Sequence, residues 1–250
     1  MSERVCGTDL MSTRFLRLPT AVRQKRGQRP DIELITDRIK ATTKERYERV
    51  IKKFDNMLVQ LSGADLVELM KSGAATNRLK SVFPDKTIFT IALPETFDFL
   101  DNNPDCQIVP AHIALNHKTI SDNRDMRCVN GALEIDLWGQ VNSEMIGGVQ
   151  HSGVGGALDF LRGCQMSDSA MSIHLMPATA QKGTASRIVP QINMNAVTAT
   201  RYDVDVVVTE FGIARLKDVS VRQKADSLIS IAHPEHREEL RDAARKMGIC

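Results

Sequence analysis

Three groups of residues in this chain have the types and spacing to do chemistry. The first is residues 147–163, GGVQHSGVGGALDFLRG, which sets five glycines in the ten positions from Gly147 to Gly156 and then turns, at Ala157, into a helical pattern carried by Leu158, Phe160 and Leu161. Glycines at that density accept positive φ and let the backbone approach a ligand that any side chain would hold away. A helix N-terminus directly after them presents unpaired N–H groups suited to a phosphate, a carboxylate or a developing oxyanion. The glycines alone fit a flexible loop ahead of a helix start equally well. His151, Ser152 and Asp159 add polar side chains to the stretch. Ser152 is not the serine of a G-x-S-x-G elbow, because Gln150 and Val154 stand where the two glycines are needed.

The second group is Asn130, Glu134 and Asp136, followed by Gln140 and Asn142. Glu134 and Asp136 alternate with Leu133, Ile135 and Leu137, so the solvated face of a half-buried strand is the simple reading of both carboxylates. The third is Thr209–Glu210 at the end of an apolar run, with Phe211 and Gly212 behind it. A carboxylate just past a buried strand is either a helix cap or a site acid or base. No Cys/His cluster stands in the chain, and no metal is expected.

The elements that must position these groups alternate between strand and helix. Residues 87–93, 126–137 (interrupted at Asn130–Gly131), 171–175, 187–192 and 203–208 read as strands. Helical patterns cover 42–61, 65–71 with Gly73 as a stop, 94–100, 220–233 and 234–247. Strands separated by helices, each closing in a polar or glycine-rich loop, indicate an α/β fold with an open, mostly parallel sheet flanked by helices and its functional loops along one edge.

Composition narrows the classes. A chain of 250 residues with 42% hydrophobic and 26% charged residues is an ordinary globular protein that can bury a core. No apolar run reaches the roughly 18 residues of a membrane span, so no membrane partner is expected. Five scattered cysteines without a C-x-x-C pair point to reduced thiols. Charge is uneven: residues 1–53 hold 14 Lys+Arg against 7 Asp+Glu, leaving 19 against 24 in the remainder. Residues 1–54 are therefore expected to be a basic, partly disordered extension, and 55–250 one α/β domain. An Arg-rich leader without acids between Leu10 and Pro30 fits a mitochondrial transit peptide, and a merely basic arm fits as well; residence is expected to be mitochondrial or cytoplasmic. The leader lacks the interleaved aromatics of a stacking surface, so no nucleic acid is expected as partner.

Five blocks, in order, resemble the acetyl-CoA hydrolase and 4-hydroxybutyrate CoA-transferase family in its C-terminal half: ALEIDLWGQVNSE, SGVGGALDFLRG, MPAT at 176–179, DVDVVVTEFGIA and IAHPEHREEL. The resemblance runs from Leu58 to Met247. It implies a CoA-transferase-like C-terminal domain, with coenzyme A thioester as substrate rather than bound cofactor, and a short carboxylate of the acetate or 4-hydroxybutyrate type as the other partner. Family members use a glutamate that attacks the thioester, passing through a mixed anhydride to a glutamyl–CoA thioester. By the resemblance, Gly153, Gly155 and Gly156 approach the thioester, where backbone N–H donors aimed at an oxyanion are worth about 3–4 kcal/mol each. Glu210 matches the glutamate of the family's T-E-[FY]-G motif, an accessory site residue. Asn130 matches the asparagine before A-L-E-I-D, and Thr179 lies in the substrate-binding MPAT segment.

Two departures limit what the resemblance carries. Counting back from Gly73, Thr76 and Asn77, the family's nucleophilic glutamate falls on Gln60, and an amide cannot form the anhydride. The family's N-terminal domain has no counterpart in residues 1–56. The chain is expected to be inactive or nearly so alone, and to associate with a second copy or a full-length relative through the surface the missing domain would cover. A non-catalytic module that binds coenzyme A or a partner chain is the alternative.

Overall fold

A computed structural model describes residues 21–23, 57–58, 61–62, 64–71, 73, 77, 80–123, 126–168 and 170–249. Its elements, in chain order, are β1 (Ala21–Arg23), β2 (Met57–Leu58), β3 (Leu61–Ser62), α1 (Ala64–Lys71), β4 (Thr87–Phe89), β5 (Ile91–Ala92), α2 (Phe97–Leu100), β6 (Cys106–Ile108), α3 (Ala111–Ala114) and α4 (His117–Ser121). There follow β7 (Met126–Gly131), β8 (Glu134–Asp136), β9 (Val141–Asn142), β10 (Met145–Ile146), β11 (Val149–Gln150) and α5 (Ala157–Gln165). The last elements are β12 (Met171–Leu175), β13 (Thr179–Ala180), β14 (Ala185–Ser186), β15 (Ile188–Val189), β16 (Val206–Thr209), β17 (Gly212–Arg215), α6 (Val221–Ser230) and α7 (Arg237–Lys246). Among the described residues no helix is long and apolar enough to cross a membrane.

The chain forms two compact units. One contains residues 17–129 and 159–172. In it β1 lies between β2 and β7, antiparallel to both, and β2, β4 and β6 continue in parallel. β4 is buried along its whole length, and the short β3 pairs in parallel with β5. β1 is the one described element inside the range read as a basic extension.

The second unit contains residues 130–158 and 173–249. Its centre is β16, buried at every position, with β12 parallel on one side and β17 antiparallel on the other. β8 joins β15 in parallel and β9 in antiparallel register. α6 starts with a full capping box: Ser220 accepts from the Gln223 N–H while the Gln223 side chain accepts from the Ser220 N–H. Leu228, Ile229, Leu240 and Ala244 of α6 and α7 are buried.

The α/β class is as expected, with parallel pairing at β2–β4, β4–β6 and β12–β16. Parallel pairs join strands separated by crossovers, whereas hairpins at β10–β11, β13–β14 and β16–β17 add antiparallel ones, since a tight turn can only reverse the chain. The helix expected over 42–61 does not reach its end: Leu58 pairs with Ile88 and Leu61 with Ile91 in strands. Pairing with a neighbouring strand overrides the local periodicity there, and residues 42–56 lie outside the described residues. The strand pair expected over 126–137 breaks at Ala132–Leu133, two residues after the expected Asn130–Gly131.

Candidate functional site

Glu210 sits in the two-residue turn between β16 and β17, where Thr209 is in register with Gly212. The turn is fixed from below by Thr209, whose fully buried hydroxyl donates to the Ile231 carbonyl at 2.6 Å and accepts from the Phe211 N–H at 3.1 Å. Phe211 meets the His233 ring edge-on at a centroid distance of 5.2 Å, with the Arg237 guanidinium 5.8 Å from the Phe211 centroid. This clamp aims Glu210 at the segment leaving β12. The Ala178 N–H donates to Glu210 Oε2 at 2.9 Å. Ala178 in turn accepts from the Arg187 N–H through its carbonyl at 2.9 Å, and Thr179 opens β13 directly behind it. Glu210 is thus no helix cap. It lies at the C-terminal ends of two parallel strands, the edge where open α/β sheets bind ligands.

Arg187 was not singled out by the sequence reading. Its side chain reaches the Ala132 carbonyl through Nη1 at a long 3.4 Å, and its buried Nε has no hydrogen-bond partner. Burial lowers the guanidinium pKa, and the negative charge of Glu210 opposes that shift. An unpaired buried donor costs about 1–3 kcal/mol, and the Glu210 charge works against the cost of burying this guanidinium. The signal available in the sequence was a lone charge inside the apolar run SRIVP.

The glycine stretch opens as the β10–β11 hairpin. Gly147 and Gly148 have φ of +58° and +79°, the paired left-handed values of a two-residue turn that matches strand twist. Gly148 donates its N–H to Asn195 Oδ1 at 2.9 Å, and Asn195 donates to Glu134 Oε1 at 2.6 Å. Behind the hairpin, the His151 and Ser152 N–H groups both donate to the Glu144 carbonyl, at 2.9 and 3.2 Å. Gly155 has φ +57°, and a Cβ at Gly153 would meet nothing within 4 Å. Gly153 and Gly155 are exposed, Gly156 is buried, and α5 begins at Ala157 as expected. The backbone at 153–155 is therefore uncovered.

Asn130 ends β7. Its neighbours link the two regions: the Ala132 N–H donates to the Leu175 carbonyl at 3.3 Å, and Ser143 Oγ donates to the Gly131 carbonyl at 3.1 Å. Ser152 Oγ reaches the Ser143 carbonyl at 3.5 Å. Asn130, Thr179, Glu210 and the three glycines all belong to one unit.

Other candidates are structural. Asp136 is fully buried, not solvated: it accepts from the Trp138 and Gln140 N–H groups at 3.1 and 2.9 Å and from the Gln140 amide at 2.8 Å. Glu134 accepts from Asn142 and Asn195, holding the hairpin. The alternation was read correctly as a strand, but short amides opposite the carboxylates replace water. Asp159 belongs to the other unit, where it faces His117 Nε2 at 3.3 Å. His151 is exposed. Gln60 and Thr76 lie outside the described residues. Among the described residues no group of three His, Cys, Asp or Glu could hold a metal ion. What remains is a carboxylate, a guanidinium and exposed backbone amides: groups that bind and stabilise charge.

Residues 93–244 match the acetyl-CoA hydrolase/transferase C-terminal domain. The chain is 41% identical over 200 residues to succinyl-CoA:cyclohexane-1-carboxylate CoA transferase of Geobacter metallireducens, covering 79% of this chain and 46% of that protein. It is 41% identical over 184 residues to 4-hydroxybutyrate coenzyme A transferase of Clostridium kluyveri, covering 72% and 43%. The crystal structure of RipA from Yersinia pestis superposes with a TM-score of 0.74 at 37% identity, over 78% of this chain and 44% of that one. The chain thus spans less than half the length of these relatives. It belongs to the acetyl-CoA hydrolase/CoA-transferase family, and the domain it carries is the family's C-terminal one.

Proposed function

We propose that this chain supplies the thioester-binding side of an enzyme that moves coenzyme A between short carboxylic acids or hydrolyses a short acyl-CoA. The observation that carries the reading is the seating of Glu210: a clamped turn at the C-terminal ends of β12 and β16, hydrogen-bonded to Ala178 and offset by Arg187. In this reading the uncovered backbone at Gly153 and Gly155, with the buried Gly156 behind it, approaches the thioester and its developing oxyanion, Glu210 and Asn130 orient the substrate, and Thr179 lines the same edge. The nucleophile is a separate matter. With Gln60 at the family's glutamate position, the chain alone turns over little or nothing. The test is an acetate-exchange and CoA-release assay on the purified chain, paired with an acetyl-CoA binding titration. Saturable binding without turnover is expected; robust turnover that Glu210→Ala abolishes overturns the inactive reading, and absence of binding overturns the thioester reading.

One observation favours the second reading, a module that works through a partner chain. Ile146, Val149, Val154 and Met194 on and beside the β10–β11 hairpin are 52%, 60%, 42% and 75% exposed. Size-exclusion chromatography with and without the full-length Clostridium kluyveri transferase tests it; a chain that stays monomeric in both runs rules the module out.

A further inference from the structure

Among the described residues Arg201 has aromatic neighbours and no carboxylate partner. Its guanidinium lies 5.9 Å from the Trp138 ring centroid and 5.6 Å from that of Tyr202. Among the described residues its side chain donates no hydrogen bond and has no carboxylate within 4.0 Å. The acids that follow in sequence are engaged elsewhere. Asp203 accepts from the Thr200 N–H and hydroxyl at 2.9 and 2.7 Å, and Asp205 faces Lys217 at 3.8 Å.

Both sides of this arrangement are built by buried polar groups. Asp136 fixes the Trp138 turn through the Trp138 and Gln140 N–H groups. Gly139 has φ +86°, a turn conformation that favours glycine, and a Cβ there would stand in ordinary contact with Leu216 Cδ1 at 3.4 Å and Arg201 Cβ at 3.9 Å, so the turn packs beside Arg201. Lys224, itself largely buried, donates its ammonium to the Arg201 carbonyl at 2.8 Å and fixes that backbone. Tyr202 leaves its ring 78% exposed. Stacking uses the flat side of a guanidinium and leaves the in-plane N–H fork, which matches phosphate. An exposed aromatic ring beside it offers a face for a nucleobase.

We propose that Arg201, Trp138 and Tyr202 form a nucleotide site, in which Arg201 takes a phosphate and Tyr202 stacks the base. Arg201 precedes β16 and Glu210 follows it, so the site lies at the opposite end of that strand and stands apart from the proposed thioester chemistry. The shared ligand chemistry is a phosphorylated base, from the adenosine 3′,5′-bisphosphate end of coenzyme A or from a free nucleotide such as ATP.

Trp138 is the single tryptophan of the chain, so its fluorescence reports on the site directly. Titrations of the full chain with adenosine 3′,5′-bisphosphate, ATP, pantetheine and inorganic phosphate separate the possibilities. A saturable change with a nucleotide is expected, weakened about tenfold or more by Arg201→Gln, in line with loss of a charge-assisted bond. Arg201→Lys should recover part of it, and Tyr202→Ala should weaken the nucleotide but not inorganic phosphate. Preference for the bisphosphate assigns the coenzyme A end, and preference for ATP a free nucleotide; either supports the site. No saturable change with either nucleotide, a change that Arg201→Gln leaves intact while circular dichroism shows the fold preserved, or an equal response to pantetheine overturns it.

Discussion

His174 should make this fold acid-sensitive in a way one substitution removes. It lies on β12 opposite Val207 of β16, is 2% exposed, and leaves Nδ1 without a hydrogen-bond partner. Burial lowers its pKa from 6.5 to about 4, with the Asp203 charge opposing. The unfolded chain therefore binds the proton more readily than the folded one between those values. The stability is fully present above pH 6.5 and is lost as pH falls towards 4. Integrating that difference, the loss is about 2 kcal/mol at pH 5 and roughly 3 kcal/mol once the folded imidazole also titrates. Urea unfolding of the wild type and His174→Gln at a series of pH values from neutral to 4.5 measures it. The variant should start less stable but lose less over that range, by the amounts given. Parallel curves for the two proteins would refute the argument, since the pH dependence would then come from other groups.

Three further substitutions probe the site and its frame. Glu210→Ala strands the Ala178 N–H and should lower stability by about 1 kcal/mol, whereas Glu210→Gln keeps an acceptor and should keep stability while weakening acetyl-CoA binding; thermal melts with calorimetric titration separate the two. Thr209→Val removes the bonds to Ile231 and Phe211 and should cost about 1–3 kcal/mol, read by urea unfolding. Gly163→Ala gains helix propensity, yet its Cβ would stand 2.7 Å from Ile120 Cβ, so a net loss of about 1–3 kcal/mol is expected in the same assay, relieved in combination with Ile120→Ala.

The parts of this fold legible in the sequence are those whose local signal and tertiary fate agree. β12, the helix from Ala157, the stop at Gly73 and the helix that starts after Ser220 are of this kind. Glu210 was readable as a carboxylate past a buried strand, because a run such as DVDVVV has only one exit. Other features depend on partners distant in sequence. Nothing near Leu58 or Leu61 announces strands that exist by pairing with Ile88 and Ile91. Asp136 looked solvent-facing because its donors, Trp138 and Gln140, act through a turn whose closure periodicity does not report. Arg187 was invisible for the same reason: its role rests on Ala178 and Glu210, 9 and 23 positions away in the numbering.

The most direct test of the account is where acetyl-CoA touches the chain. Selective labelling of the 15 glycines, with Ala178 labelled in parallel, gives amide spectra that can be followed through an acetyl-CoA titration. The expected result is saturable shifts at Gly153, Gly155, Gly156 and Ala178, with Gly73 and Gly248 unmoved. Binding that leaves those four amides in place would contradict the claim that this edge of the sheet receives the thioester.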